Sequence, residues 1–214
     1  MPWQDAFGED LARLSSDQRV MQYIGNGRPW NRERARQRHQ ACLTHWEEHN
    51  FGWRAILDSP SGRFLGLAAL NYLGALVPGI EESAIEIGWW LDPGAWGRGI
   101  ATEAASAIRD EAFTRLHTAR IVARLQPRNH ASGRVAARLG MRLHGEAPGR
   151  TGEPVLVYLL DHQYWRASLA TPAATSQNPT DAARWSHPLA LMCGRSRERT
   201  RPRRVVAVVV EGGA

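Results

Sequence analysis

Lysine is absent from this chain; all 27 of its basic residues are arginine. A Walker-type nucleotide loop needs a lysine after its last glycine, so that class is excluded. Schiff-base chemistry with pyridoxal phosphate is excluded on the same ground. Cysteine is nearly absent as well. Cys42 and Cys193 lie far apart and without metal-ligand spacing, which argues against a disulfide framework and for a reduced, cytoplasmic setting. No apolar run approaches the ~20 residues of a membrane span. The opening MPWQDAFGED is acidic and polar, unlike a secretory signal.

What is present suffices for one globular domain and an appendage: 214 residues, 43% of them hydrophobic. The net charge of +6 is uneven. Residues 1–168 carry 20 arginines against 18 acids, and residues 169–214 carry 7 against 3. The basic balance therefore owes much to the tail and says little about the domain's ligand. The tail opens with linker composition, TPAATSQNPTD at 171–181. A basic run, RSRERTRPRR (195–204), and a β-prone run, VVAVVV (205–210), follow. We read 1–168 as the folded domain and 169–214 as a low-complexity, Arg-rich, disordered tail. Such a tail could touch nucleic acid or a ribosome, or be a solvated appendage with no specific partner.

Within the domain, residues 4–24 read as one or two short helices. Asn31 is placed to cap a helix running to about Glu48. Residues 52–58 and 63–72 read as a hairpin around the turn SPSG at 59–62, and 85–91 as the next strand. Ile100, Ala104, Ile108 and Ala112 recur every four residues, the pattern of a helix packed on a sheet. Residues 119–125, 141–146 and 155–160 read as strands, and 130–139 as a short helix. Strands and helices in this order predict an α/β domain on a mixed sheet.

The most informative stretch is IEIGWWLDPGAWGRGIATEAASAIRDEAF at 85–113. A strand, a glycine-bearing loop and a helix follow one another directly. Free N–H groups and the positive end of the helix dipole converge at such a corner and favour an anion. Gly97 and Gly99 bracket Arg98, so backbone can approach a phosphate while a guanidinium adds charge. The Rossmann fingerprint would need a third glycine where Thr102 stands. A ligand bearing a pyrophosphate is expected.

The order of strand, WGRGIATEA, strand and NHASGRVAARLGM resembles the GNAT acetyltransferase superfamily, most of all its RimJ/RimL branch. THWEEHNFGWRAI (44–56) and VLVYLLDHQYW (155–165) are similar to that branch too. The likeness covers about residues 10–166. It implies a mostly antiparallel mixed sheet with flanking helices, acetyl-CoA as co-substrate and no metal. It also implies acetyl transfer to a primary amine, either a protein N-terminus or a small molecule, by a monomer or homodimer. The resemblance places the pantetheine arm along the backbone of Trp89, Trp90 and Leu91. It places the pyrophosphate in the loop Trp96, Gly97, Arg98, Gly99, Ile100 and Ala101, with Thr102 beside it and Asn129 on the CoA arm. Acceptor choice would fall to residues 26–30, 71–82 and 147–153. A non-catalytic acetyl-CoA-binding sensor remains the alternative.

Two residues are candidates for the chemistry. Strand alternation puts Ile85, Ile87, Trp89 and Leu91 on one face and Glu86, Gly88 and Trp90 on the other. Glu86, on the side of Gly88, is a candidate base for the attacking amine; its plain alternative is a glutamate on a half-exposed strand. Many family members carry a tyrosine acid seven residues after the asparagine, where this chain has Ala136. Ser132, three residues after Asn129, is the candidate proton donor to the CoA thiolate, or simply a first-turn serine. Asn129 could equally be a helix cap. HWEEH at 45–49 fits an inverted zinc-protease pattern but lacks a third ligand, so it reads as a polar helix end. The family's opening strand has no counterpart here. Either the start is truncated or something else fills the sheet edge, with 204–211 or a partner molecule as candidates.

Overall fold

The computed structural model describes residues 1–74, 77–81 and 83–170, and the backbone of Val206–Ala207. Helices α1 (Gly8–Ser16), α2 (Gln18–Met21) and α3 (Arg32–His49) come first. Strands β1 (Trp53–Asp58), β2 (Phe64–Tyr72) and β3 (Ile85–Leu91) follow. Then come α4 (Ile100–Thr114), β4 (Arg120–Leu125), α5 (His130–Arg138), β5 (Arg142–Pro148), β6 (Pro154–Asp161), α6 (His162–Ala170) and the two-residue β7 (Val206–Ala207). The sheet order is β5-β6-β4-β3-β2-β1-β7. Every pairing is antiparallel except that of β3 with β4. The expected mixed, mostly antiparallel sheet is therefore present.

Local chemistry accounts for the helix starts. The Asn31 side chain accepts a bond from the Arg34 N–H at 2.8 Å and caps α3. Asn129 caps α5 in the same way, accepting from the Ser132 N–H at 3.1 Å. The four-residue recurrence in α4 buries Ile100, Ala104, Ile108, Ala112 and Phe113 against the sheet, with Val135 of α5 and Trp165 of α6 in the same core. Helices α1 and α2 cover the opposite face through Leu11, Leu14, Val20 and Met21, which pack with Trp53, Leu67 and Ala69. Sequence reading missed α6, which follows β6 directly with no intervening loop.

The outer edge of β1 is covered by two segments distant in sequence. The Ala55 N–H donates to the Met1 carbonyl at 2.9 Å, and the Trp3 N–H to the Trp53 carbonyl at 3.0 Å. Val206 and Ala207 pair with Asp58 and Leu57. The first three residues and part of the 204–211 segment thus lie where the family's opening strand was expected. The remainder of the tail lies outside the described residues.

A buried ion pair joins this edge to the α4 layer. Arg54 donates to both oxygens of Glu111, at 2.7 and 2.5 Å, and the two side chains are 6% and 1% exposed. Arg115 adds a bond to Glu111 at 3.0 Å. Removing one partner of a buried pair strands the other charge. Glu111→Ala should therefore destabilise the domain by about 3–5 kcal/mol, read as a lower urea midpoint. The double variant Arg54→Met/Glu111→Leu should recover most of that loss. Equal loss in the single and double variants would show that the pair's charge is not what matters.

Candidate active site and cofactor cleft

Strands β3 and β4 pair for only two residues, Ile85 with Ile121 and Glu86 with Val122. By contrast, β3 keeps seven residues in register with β2, with no bulge at Trp90. Beyond Glu86 the two parallel strands diverge and open a cleft of about 1050 Å³. The peptide groups facing this gap follow from the ladder. Leu73 donates to the Ala84 carbonyl and Asp92 to the Leu65 carbonyl, so the even-numbered residues of β3 bond β2. The peptide groups of Ile87, Trp89 and Leu91 turn toward the gap. The Leu91 carbonyl is taken by the Trp96 indole N–H at 2.9 Å. The Trp89 peptide and the Leu91 N–H are left facing the cleft, while the peptide groups of Trp90 are spent on β2.

The cleft runs to the N-terminus of α4. Asp92 accepts a bond from the Gly94 N–H at 2.9 Å, and Arg13 of α1 holds its other oxygen at 2.8 Å. This ties the loop's entry to the helical layer. Gly97 and Gly99 have φ of 70° and 81°, values that side-chain-bearing residues rarely adopt. No side chain caps α4 at Gly99. A Cβ at either glycine would meet nothing within 4 Å. The first N–H groups of the helix therefore open onto free space, unlike those of α3 and α5, which are capped by asparagine. An anion of pyrophosphate size fits such a terminus.

The expected site residues converge on this one cleft. Trp89, Trp90, Leu91, Trp96, Gly97, Gly99, Ile100, Ala101 and Thr102 line it from β3 and the loop, Asn129 and Ser132 from α5, and Glu86 from the point where the strands part. Arg98 does not line it and is exposed. The Asn129 carbonyl oxygen is engaged as a cap, which leaves its amide donors for a ligand. Strand alternation holds: Ile85, Ile87, Trp89 and Leu91 pack on the α4 side, and Trp90 on the opposite side.

Glu86 is not a free carboxylate. Arg124 of β4 grips it through two bonds of 2.9 and 3.0 Å, and Arg150, from the turn between β5 and β6, adds a third at 2.7 Å. Sequence reading missed Arg124, and it named Arg150 only within the acceptor-side loop 147–153, not as a partner of Glu86. Arg124 carried one signal, a charge set among the apolar residues Ile121, Val122, Ala123 and Leu125 of β4. The acceptor-side regions named from the sequence are represented by Trp30, Asn71, Gly149, Arg150 and Thr151, and Gln126 also lines the cleft. Gln126 reaches across to donate to the Gly25 carbonyl at 2.9 Å and pins the loop after α2. His45 and His49 pack edge-on, 4.6 Å apart, with Phe51 and Tyr72 around them. Among the described residues, no group of three His, Cys, Asp or Glu is placed to hold a metal, and no helix is long and apolar enough to cross a membrane.

Residues 2–142 match the acetyltransferase (GNAT) domain family. The chain belongs to that family. A curated relative is the uncharacterized N-acetyltransferase YnaD of Bacillus subtilis (strain 168), 42% identical over 64 residues, or 30% of this chain and 38% of that one. The matched stretches span 38 to 64% of the length of the curated relatives. Among solved structures, an acetyltransferase from Agrobacterium tumefaciens str. C58 is 31% identical, with a TM-score of 0.62 over 74% of this chain and 87% of that chain. RimL, a ribosomal alpha-N-protein acetyltransferase in complex with coenzyme A, shares the fold at 20% identity, with a TM-score of 0.60 over 74% of this chain and 90% of its own.

One glycine sets how closely β2 approaches the end of β3. A Cβ at Gly66 (φ +151°) would lie 2.2 Å from the Trp90 carbonyl oxygen and 2.8 Å from the Leu91 Cα. Gly66→Ala should push the end of β3 into the gap. It should weaken acetyl-CoA binding by about tenfold or more, since ~1.4 kcal/mol is a factor of ten. Calorimetry on the folded variant checks this, and wild-type affinity would show that the spacing of β2 and β3 does not control the cleft.

Proposed function

We propose that the protein is an acetyl-CoA-dependent N-acetyltransferase acting on a primary amine. The observation that carries the proposal is the gap between β3 and β4, which ends at an uncapped helix terminus. Peptide groups left without a strand partner can pair with an extended arm, and the open N–H groups of α4 can hold its phosphates. Trp89 and Leu91 would bind the arm through their backbone. Residues 97–102 would hold the pyrophosphate, and the amide of Asn129 would meet the arm from α5. Acetyl-CoA would supply an activated acetyl thioester.

The rest of the chemistry falls to this chain's own groups. The attacking nitrogen must be neutral, so one proton has to leave the ammonium. Glu86 stands where the strands part and can take that proton directly or through a water. Oε1 accepts one guanidinium bond and Oε2 two, so the proton can enter at the remaining site of Oε1, or at Oε2 once one partner yields. Arg150, with a side chain 53% exposed, is free to move, whereas Arg124 is 4% exposed and fixed. The Leu91 N–H can donate to the carbonyl oxygen as charge builds there. The Ser132 hydroxyl, half-buried on the first turn of α5, can return a proton at the departing sulfur.

Transfer is direct in this proposal. Cys42 is 3% exposed, and burial pushes its thiol up to about 12. It is therefore no thiolate nucleophile near neutral pH, and the amine itself attacks. Glu86→Gln keeps the shape and removes the base. It should lower kcat by about a hundredfold, the lower range for acid–base catalysis, with acetyl-CoA affinity unchanged. An unaltered kcat would remove Glu86 from the mechanism.

A further inference from the structure

Granted the acetyltransferase reading, we propose that the acceptor is an amine carrying a carboxylate a few bonds from the attacking nitrogen. Arg124, Arg150 and the Arg34–Arg38 face of α3 would bind that carboxylate.

Charge supports this first. Seven arginines and only two glutamates line the cleft. Arg134 and Arg138 stand on α5, the helix that also brings Asn129 and Ser132, and so belong to the cofactor side. Of the two glutamates, Glu153 is engaged by the Thr151 N–H and hydroxyl, at 2.9 and 2.6 Å. Glu86 answers both Arg124 and Arg150, and Glu153 also lies in the field of Arg124, so the excess positive charge of the lining rests on the other arginines.

Unmet hydrogen-bonding capacity points the same way. Arg124 spends Nε and Nη2 on Glu86, but its Nη1 is buried and has no hydrogen-bond partner among the described residues. A buried guanidinium donor left unpaired is costly and calls for an acceptor atom. Arg34 and Arg38 lie one turn apart on α3, with their guanidinium groups over the rings of Trp30 and Trp53 at 5.1 and 4.9 Å. Neither has an ion-paired carboxylate among the described residues. Trp90 packs between those two rings, 5.4 Å from each. The aromatic row holds the guanidinium groups in place, and a planar fork of this kind suits a carboxylate.

An exchange of partners lets such an acceptor enter without stranding a charge. The Arg150 Nη2 occupies Glu86 Oε2 at 2.7 Å and also donates to the Leu73 carbonyl at 3.0 Å. An incoming ammonium can take that place on Glu86 while its own carboxylate takes the released Arg150. A polycationic amine offers Arg150 nothing and meets the excess positive charge. The required chemistry is found both in free amino acids and in peptide N-termini followed by acidic side chains.

Matched acceptor pairs test the proposal through release of CoA by the full chain. One arm sets L-alanine and L-glutamate against their amides. The other sets Ala-Glu-Glu-amide against Ala-Gln-Gln-amide and Ala-Arg-Arg-amide. We expect the carboxylate-bearing member to exceed its amide at least tenfold in kcat/KM in one arm, and that arm identifies the source. The double variant Arg34→Glu/Arg38→Glu should erase this advantage mainly through KM; a merely structural role would depress both members alike. Equal or better use of the amide or the arginine peptide would overturn the proposal. So would failure to acetylate any member by protein that binds acetyl-CoA in calorimetry. Absence of acetyl-CoA binding would instead bring down the acetyltransferase reading, and this proposal with it.

Discussion

The parting of β3 from β4 after a two-residue parallel contact is the constraint on which the rest of the molecule depends. Parallel strands cannot be joined by a tight turn, so α4 must carry the chain back across the sheet. That crossover brings the N-terminus of α4 to the end of β3, and the glycine loop with it. The divergence then leaves the Trp89 peptide groups and the Leu91 N–H without a strand partner beside an uncapped helix terminus. A continuous β3–β4 ladder would satisfy those groups internally and close the cleft. The close approach of β2 at Gly66 and the tether from Arg13 to Asp92 both hold β3 and its loop on the far side of the opening.

Electrostatics divides the cleft into two ends. At one end, the N-terminus of α4 and the α5 arginines line the part of the cleft proposed for an anionic cofactor. At the other, Glu86 is shared between a buried arginine, Arg124, and an exposed one, Arg150. Any acceptor has to settle with this group. The fixed bond to Arg124 orients the carboxylate, and the exchangeable bond to Arg150 makes it available. In the proposed mechanism the same arrangement would link catalysis to acceptor choice, because Arg150 would both free Glu86 and bind the acceptor.

Legibility in the sequence followed range. The caps at Asn31 and Asn129, the hairpin around residues 59–62, the α4 periodicity and the glycine loop are all set by neighbours within a few positions. They could be read residue by residue. The alternation of β3 also placed Glu86 on the cleft side. What could not be read depends on strands meeting from afar. Arg124 lies 38 residues from Glu86 and Arg150 lies 64 away; nothing in their spacing marks them as its partners. Arg98, marked in the sequence by its place between the loop glycines, is exposed and is absent from the lining of the cleft. The edge of β1 is likewise a long-range matter, met by Met1–Trp3 and by Val206–Ala207.

The central claim is that this cleft binds acetyl-CoA through its pyrophosphate and its pantetheine arm together. Calorimetry on the full chain with acetyl-CoA, desulfo-CoA and plain pantetheine tests it most directly, with Gly99→Glu as the disabled site. The account predicts micromolar binding of both CoA species, little binding of pantetheine alone, and loss of binding when a carboxylate stands at the mouth of α4. A well-folded protein that binds none of the three, or a Gly99→Glu variant that binds as well as the wild type, would contradict it.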